Sequence, residues 1–298
     1  MMGTKKLCNI CPRRCNVDRS KQVGFCKMGS EMVVAHYMLH HYEEPIISGE
    51  CECDTRGSGA IFFSGCNLAC CYCQNYQISS CGAGKVCSVE RLIEIIKELE
   101  AAGAYNINFV TPTHFADKII EALSLYKPKV PVVWNTGGYE TPEQIEKLRG
   151  YVDIFLTDLK YFSPEAGMLS GSPDYFEFAS KSLLKMREIC PQDVIEDGIM
   201  KRGIIVRHLV LPGLTADSVN VLKFIAENLG KDTIVSILSQ YEPFYLATKN
   251  PKINRRITPL EYKRVVNMAL SLGLNNAYVQ ELCSSNSKYV PVFDPSKI

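Results

Sequence analysis

Short apolar segments alternate with amphipathic helical patterns from about residue 58 onward, and this alternation constrains the fold more than any other feature. Strands alternating with helices of this length are typical of βαβ units and a parallel sheet. Six or seven such units favour a barrel, complete or open, and a doubly wound open sheet is the alternative. We predict an α/β fold built as a partial (β/α)6 barrel. The predicted strands are Ala60–Phe63, Asn106–Val110, Val130–Trp134, Val152–Leu156, Gly203–Leu211, Thr233–Leu238 and Ala277–Glu281.

Two of the helical patterns begin with clear capping signals. Thr141-Pro142-Glu143-Gln144 and Thr258-Pro259-Leu260-Glu261 each offer a Thr N-cap, a Pro at the first helical position and Gln or Glu at the third. Helices are therefore expected to begin at these two points. The full set of predicted helices is 88–102, 115–127, 142–149, 174–189, 216–229 and 259–272.

The charge balance and the cysteine count limit the class of protein. Lys and Arg number 33 against 32 Asp and Glu, so the net charge of +1 gives no general attraction to nucleic acid or an anionic membrane. No apolar stretch is long enough to span a bilayer, and the first residues lack the apolar run of a secretory signal. We therefore expect a cytoplasmic protein. Fourteen cysteines in such a chain indicate metal ligands rather than disulfides.

Cys66, Cys70 and Cys73 form a C-x3-C-x2-C run directly after the first predicted barrel strand. Three thiolates on one loop can hold three irons of a cubane cluster. Because Fe–S clusters are normally held by four cysteines, a tight triplet predicts an open coordination site on the fourth iron. Cys71 leaves a C-x4-C-x-C assignment open, although we prefer the first. A structural zinc site is the competing interpretation, but it needs four ligands in a closed site.

This triplet, with the aromatic Tyr72 before its last cysteine, resembles the signature of radical S-adenosylmethionine (SAM) enzymes. The resemblance implies a [4Fe–4S] cluster whose open iron chelates the amino and carboxylate groups of SAM. It also implies reductive cleavage of SAM to a 5′-deoxyadenosyl radical that abstracts hydrogen from a substrate. A reduced flavodoxin-like or ferredoxin-like electron donor would supply the electron.

Further segments resemble the pyruvate formate-lyase activating enzymes and a related group labelled "pyruvate formate-lyase activating enzyme-like". By that analogy the substrate would be a glycyl loop of a partner protein. Radical modification of another peptide or a small molecule is the alternative, and a non-catalytic Fe–S electron carrier is a third. The segments that carry the resemblance are Asp158-Leu159-Lys160, Arg207–Gly213, Glu43-Glu44-Pro45, Gly57-Ser58-Gly59, Val110–His114 and Asn135–Tyr139.

Polar residues near the ends of the predicted strands are the candidates for contacts with SAM. The superfamily often has Gly-Gly-Glu after the second strand, whereas Thr111-Pro112-Thr113-His114 stands here without a carboxylate. Asp158 and Lys160 share one face of their strand, although a solvated surface pair is the alternative. Hydrogen abstraction by a radical needs no general base, so no catalytic residue is predicted beyond the cluster ligands. The predicted cofactor-binding residues are Tyr72, Thr111, Thr113, Asn135, Thr136, Asp158, Lys160 and Arg207.

Residues 1–50 lack a long periodic segment and carry Cys8, Cys11, Cys15 and Cys26, which have the count and spacing of a four-thiolate site. We predict an N-terminal metal-binding segment over residues 1–50 and a barrel domain over 51–298. Zinc and a second Fe–S cluster are both compatible with four thiolates. A basic nucleic-acid-binding arm is the competing interpretation of the Lys and Arg residues in this segment. Cys51 and Cys53 either join a metal site or are inert thiols.

Overall fold

The computed structural model describes residues 7–50, 55–281, 293 and 298, so Cys51 and Cys53 lie outside the described residues. The strands are β1 (Val33–His40), β2 (Ser58–Phe63), β3 (Lys85–Val86), β4 (Asn106–Val110), β5 (Val132–Thr136), β6 (Ile154–Asp158), β7 (Val194–Glu196), β8 (Ile199–Leu209), β9 (Ile234–Leu238) and β10 (Ala277–Val279). The α-helices are α1 (Pro45–Ser48), α2 (Tyr76–Ser79), α3 (Val89–Ala101), α4 (Ala116–Leu125), α5 (Pro142–Glu146), α6 (Pro164–Gly167), α7 (Tyr175–Ile189), α8 (Thr215–Asn228) and α9 (Pro259–Ser271).

A single sheet organises these elements. Seven strands run parallel in the order β10-β9-β8-β6-β5-β4-β2, and each overlaps one predicted strand. β1 lies antiparallel beside β2 and carries β3 at its outer edge, while β7 forms a hairpin with β8. Among the described residues β10 and β3 do not pair with each other, so the sheet stays open. The predicted α/β fold with a partial barrel is confirmed.

The outer face of the sheet is covered by the predicted helices. Trp134, Phe155 and Val206 point to this face from neighbouring strands and are fully buried beneath the helices. The capping signals also formed as predicted. The Thr141 side chain accepts a hydrogen bond from the Gln144 backbone amide, and Thr258 forms a complete capping box with Glu261. The helix that follows Thr141 ends at Glu146, earlier than predicted.

The inner face of the sheet is filled by the chain's own segment α1. Ile46 and Ile47 are buried there, and strand residues that alternate with the outward-facing ones complete this second apolar cluster. Those strand residues are Val133, Ile154, Leu156, Met200, Ile205 and Ile234.

α1 and β1 both fall within the predicted N-terminal segment 1–50. Residues 33–48 nevertheless belong to the barrel, whereas residues 7–31 lie outside the sheet. The division into two domains at residue 50 stays a prediction.

Candidate active site

The loop after β2 carries Cys66, Cys70 and Cys73 at the carboxyl end of the first barrel strand. Two backbone bonds fix it to a neighbouring segment: the amide of Ala69 donates to Ser170 O at 2.9 Å, and that of Cys71 donates to Leu169 O at 2.8 Å. Gly65 adopts φ +83°, and a Cβ there would come within 2.5 Å of Cys26 O in the N-terminal segment. The loop is therefore held tightly on two sides.

Within the predicted triplet, neighbouring thiols shift the pKa of Cys66 and of Cys70. Burial raises the pKa of the Cys66 thiol to about 12, and Cys73 adds to that shift. Burial also raises the pKa of Cys70, while Lys160 acts against the rise. The pKa of Cys71 is raised by burial, without a contribution from the other three thiols. Cys66 and Cys73 thus lie within electrostatic range of Cys70, whereas Cys71 shows no such interaction. The assignment of Cys66, Cys70 and Cys73 as ligands stays a prediction.

A cavity of about 250 Å³ opens beside the cysteine loop. Cys70, Tyr72 and Cys73 line one side of it, and the carboxyl ends of the barrel strands line the other. Five of the predicted cofactor contacts meet here, namely Tyr72, Asn135, Asp158, Lys160 and Arg207. The cavity therefore joins the cysteine loop to the charged strand ends, as expected for a site at the carboxyl edge of parallel strands.

A buried ionic network forms the floor of this cavity, and Arg207 is at its centre. The guanidinium donates from Nε to Asp158 Oδ1 at 3.1 Å, from Nη1 to Glu43 Oε2 at 3.1 Å and from Nη2 to Asn135 Oδ1 at 2.5 Å. Lys160 Nζ lies 2.5 Å from Asp158 Oδ2. Asn135 Nδ2 closes the ring with a bond of 3.1 Å to Glu43 Oε1. Every charged group in the ring therefore has an opposite charge beside it.

The network also sets the protonation states of its members. Burial tends to raise the pKa of Asp158, but Lys160 and Arg207 together hold it below its usual value. Burial likewise tends to lower the pKa of Lys160, and the Asp158 carboxylate keeps it above its usual value. Both side chains are therefore charged at neutral pH. They are only 16% and 17% exposed, which excludes the alternative of a solvated surface pair.

The turn after β4 holds the remaining predicted residues differently. Thr111 adopts φ +58°, which is rare for a β-branched residue, and its amide donates to Asn135 O at 2.8 Å. Thr113 instead donates to Glu140 Oε1 at 2.9 Å, and Thr136 also hydrogen-bonds to Glu140. Thr113 and Thr136 are buried against this carboxyl group and lie away from the cavity lining.

Glu140 was missed by the sequence reasoning. It is fully buried, and it accepts a second bond at Oε1 from Trp134 Nε1 at 2.8 Å. Its Oε2 atom has no partner in the part of the chain that the structure describes. Burial raises the pKa of this carboxyl group, while Trp134, Thr136 and Thr113 act against the rise. A carboxyl group thus lies beneath the turn where the sequence showed none, although solvent cannot reach it.

The N-terminal segment binds directly to the cysteine loop through Arg13. Its guanidinium donates to Asn67 O at 2.8 Å and to Gly171 O at 2.7 Å, and stacks over Phe25 with the centroid 3.8 Å away. Arg19 makes a second link, donating to His114 O at 2.6 Å. These contacts account for two basic residues of the segment without a nucleic-acid partner.

The four N-terminal cysteines are gathered within this segment. Cys11 and Cys26 are buried, and the amide of Phe25 donates to Cys15 Sγ at 3.2 Å. The pKa of Cys11 is raised to about 12, mainly by burial, and Cys15, Cys26 and Cys8 add to the rise.

Among the described residues, no three Cys, His, Asp or Glu side chains stand as a ready-made ion site. Thiols must lose their protons before they bind a metal, so protonated thiols have no reason to adopt the spacing of ligands. Metal binding at either cysteine set stays a prediction.

The sequence that forms this arrangement is similar to sequences of known proteins. Residues 60–225 match the family described as the radical SAM superfamily. The chain is a member of the radical SAM superfamily. Enzymes of this superfamily use a [4Fe–4S] cluster and SAM for radical chemistry. Across the described residues of this radical SAM protein, every helix is too short or too polar to cross a membrane.

Two relatives in Methanocaldococcus jannaschii cover most of this radical SAM chain. Both are uncharacterized proteins. MJ0674 is 32% identical over 283 residues, covering 92% of this chain and 77% of that protein. MJ0808 is 22% identical over 305 residues, covering 92% of this chain and 81% of that protein.

Similar solved structures share only part of the shape. Streptococcus suis SuiB bound to its precursor peptide SuiA has a TM-score of 0.49 at 12% identity and matches 72% of this chain. The match covers 46% of SuiB, so this chain spans less than half of that protein. A domain of a pyruvate-formate lyase-activating enzyme from Bacteroides vulgatus has a TM-score of 0.37 at 14% identity, covering 65% of this chain and 91% of that domain.

Proposed function

We propose that this protein reductively cleaves SAM at a [4Fe–4S] cluster held by Cys66, Cys70 and Cys73. The observation that supports it is the position of Cys70 and Cys73 in the lining of a cavity whose floor is charged and buried, with Cys66 on the same loop. The donor set fits the cluster, because three thiolates leave one iron open for SAM. When bound, the cluster would pass one electron to SAM, and cleavage of the sulfonium would give the radical that abstracts hydrogen from a substrate.

The cavity floor suits the zwitterionic end of SAM. Lys160 and Arg207 retain further N–H donors for a carboxylate, while Asp158 and Glu43 retain further lone pairs for an ammonium group. Tyr72 is 6% exposed and shields the cysteine side of the cavity from water. The protein's contribution is thus to orient SAM by its charged groups and to limit access of water.

Release of 5′-deoxyadenosine is the direct test of this function. Anaerobically reconstituted, dithionite-reduced protein should release it from SAM, detected by liquid chromatography. An electron carrier should release none, so the absence of product from cluster-loaded protein would support that alternative.

We also propose a class of substrate, which is supported by the segments that resemble activating enzymes. We infer a glycyl loop of a partner protein as the hydrogen donor, with another peptide or a small molecule as the alternative. A reduced flavodoxin-like or ferredoxin-like protein would supply the electron in the cytoplasm. Transfer of deuterium from a labelled candidate to 5′-deoxyadenosine distinguishes these substrates.

Cys8, Cys11, Cys15 and Cys26 are proposed to hold a second metal, zinc or an Fe–S cluster. Three residues in this short segment, Arg14, Asn16 and Lys27, adopt positive φ, which costs energy in a non-glycine residue. Residues 7–31 also contain no helix or strand, and small units of this kind often need a metal to hold their fold.

Metal analysis of cysteine variants tests the second site. We expect Cys11→Ser to lose the additional metal, because a missing ligand opens a closed four-ligand site. The exposed Cys81 provides the control, and Cys81→Ser should keep the full metal content. Loss of zinc identifies a zinc site and loss of iron a second cluster, whereas unchanged metal in Cys11→Ser would refute the proposal.

Thr111→Gly tests whether the unusual backbone at the end of β4 serves SAM binding. Glycine relieves the left-handed conformation, so the free energy of unfolding should rise by up to about 1 kcal/mol. The affinity for SAM should fall about 2- to 10-fold, because one hydrogen-bonding side chain is lost.

Asp197 also has positive φ, but it lies in the turn between β7 and β8, away from the cavity. Asp197→Gly is therefore the matched control, and it should leave SAM affinity unchanged. Equal SAM affinity in wild type and Thr111→Gly would assign Thr111 to the turn alone.

A further inference from the structure

A second cavity, of about 230 Å³, adjoins the first one at the side of β8, β9 and β10. The two cavities share Glu43 and Arg207, so a molecule in one lies next to a molecule in the other. Glu44, Ser236 and Tyr278 line only the second cavity. The proposed function places SAM beside the cysteine loop, which leaves this neighbouring space for another ligand.

Glu44 stands out among the residues that line the second cavity. Its side chain is 7% exposed, and it accepts a hydrogen bond from the Ser236 hydroxyl. The other carboxyl oxygen, Oε2, has no partner among the described residues. Leaving a buried carboxyl oxygen without a partner is costly, so the atom is suited to a group that arrives with a ligand.

The neighbouring Glu43, in contrast, has hydrogen-bond partners on both carboxylate oxygens. Its Oε1 accepts from Asn108 Nδ2 at 3.3 Å and from Asn135 Nδ2 at 3.1 Å, while Oε2 accepts from Arg207. The three guanidinium nitrogens of Arg207 are already directed at Asp158, Glu43 and Asn135. Arg207 attracts Glu44 from a distance, but no described cation forms an ion pair with Glu44 as Arg207 does with Glu43.

The carboxyl groups around the two cavities outnumber the cations that contact them. Among the described residues, Glu43, Glu44 and Asp158 share the two cations Arg207 and Lys160. Burial raises the pKa of Glu44, so this carboxyl group favours its neutral form until a further cation arrives. A ligand that brings a positive charge and hydrogen-bond donors to Glu44 would restore the balance. An ammonium or guanidinium group has both properties.

We propose that the second cavity is the substrate subsite and that it binds an ammonium or guanidinium group through Glu44. This assignment rests on the proposed function only in placing SAM in the first cavity. The same chemistry occurs in a free amine and in a Lys or Arg side chain of a peptide. Glu44 is thus a specificity-determining residue that receives the cationic end of the substrate.

Equilibrium dialysis of cluster-loaded, SAM-saturated protein under anaerobic conditions tests this assignment. The probes are radiolabelled 1,4-diaminobutane, for a free amine, and radiolabelled Nα-acetyl-lysine amide, for a peptide side chain. Wild type should bind at least one of them, and unlabelled 1,4-butanediol should not displace it. Glu44→Gln should weaken binding about 10- to 100-fold, because a charge-assisted hydrogen bond is lost. Glu227, an exposed residue of α8, gives the control Glu227→Gln, which should bind like wild type.

Parallel measurements of SAM affinity and 5′-deoxyadenosine release keep the two proposals separate. Release by wild type, together with equal probe binding in wild type and Glu44→Gln, overturns the subsite and leaves SAM cleavage standing. Failure of wild type to bind either probe also overturns it. Loss of SAM affinity in Glu44→Gln with unchanged probe binding would assign Glu44 to the cofactor instead. If Glu44→Gln does not fold, Ser236→Ala should still weaken probe binding a few-fold, and unchanged binding there rejects the subsite.

Discussion

Cys70→Ala is expected to abolish release of 5′-deoxyadenosine, to below about 1% of the wild-type rate. Substitutions of residues that merely support metal ligands cost 10- to 100-fold, so loss of a ligand itself should cost more. Only Cys66 and Cys73 would remain to hold the cluster. The measurements are product release and iron content after anaerobic reconstitution.

The adjacent Cys71 offers a closely matched control for this experiment. Its thiol receives no electrostatic contribution from the other three, and it follows Cys70 on the same loop. Cys71→Ala should therefore retain iron and product release. The opposite pattern, with Cys71→Ala inactive and Cys70→Ala active, would favour the C-x4-C-x-C assignment and reject ours.

Arg207→Met should be the most destabilising single change in the charged floor of the cavity. It leaves the carboxylates of Glu43 and Asp158 buried beside a single remaining cation, Lys160. Removing one partner of a buried ion pair costs about 3–5 kcal/mol, and we expect a loss of that size in the free energy of unfolding. SAM binding should be lost as well. Urea denaturation and isothermal titration measure the two effects.

A surface arginine shows how much of this effect depends on burial. Arg149 pairs with Glu146 and Glu188, but all three side chains are about half exposed. Arg149→Met should cause no resolvable change in stability, because exposed ion pairs contribute little. Similar losses in the two variants would mean that the floor around Arg207 is better solvated than the structure indicates.

The sequence was sufficient to predict the seven parallel strands and to select five of the residues that line the cavity. Strands buried on both faces are apolar throughout, so Ile154-Phe155-Leu156 is recognisable without any partner. The ends of parallel strands meet at one edge, which brings Asn135, Asp158 and Arg207 together although they are distant in the chain. Local sequence patterns were therefore enough to predict both the strands and the polar residues at their ends.

The positions that the sequence did not reveal depend on side-chain direction and on long-range contacts. Asn135 and Thr136 are adjacent in β5, so they point to opposite faces, and only Asn135 reaches the cavity. Glu140 lies beyond the end of β5 and turns back under the loop after β4, which no local pattern reveals. Glu43 belongs to one of the segments that carry the family resemblance, yet its hydrogen bonds to Arg207 and Asn108 form only in the folded barrel.

The position of α1 inside the barrel also sets an order of events during synthesis. Ile46 and Ile47 leave the ribosome early, but their burial needs β8 and β9, which are made much later. Domains generally fold as units as the chain emerges, so this apolar segment must wait in contact with water or a chaperone. A nascent chain halted before β9 would therefore expose an apolar, aggregation-prone segment. A truncated protein that starts after Ser48 would have an unfilled barrel interior.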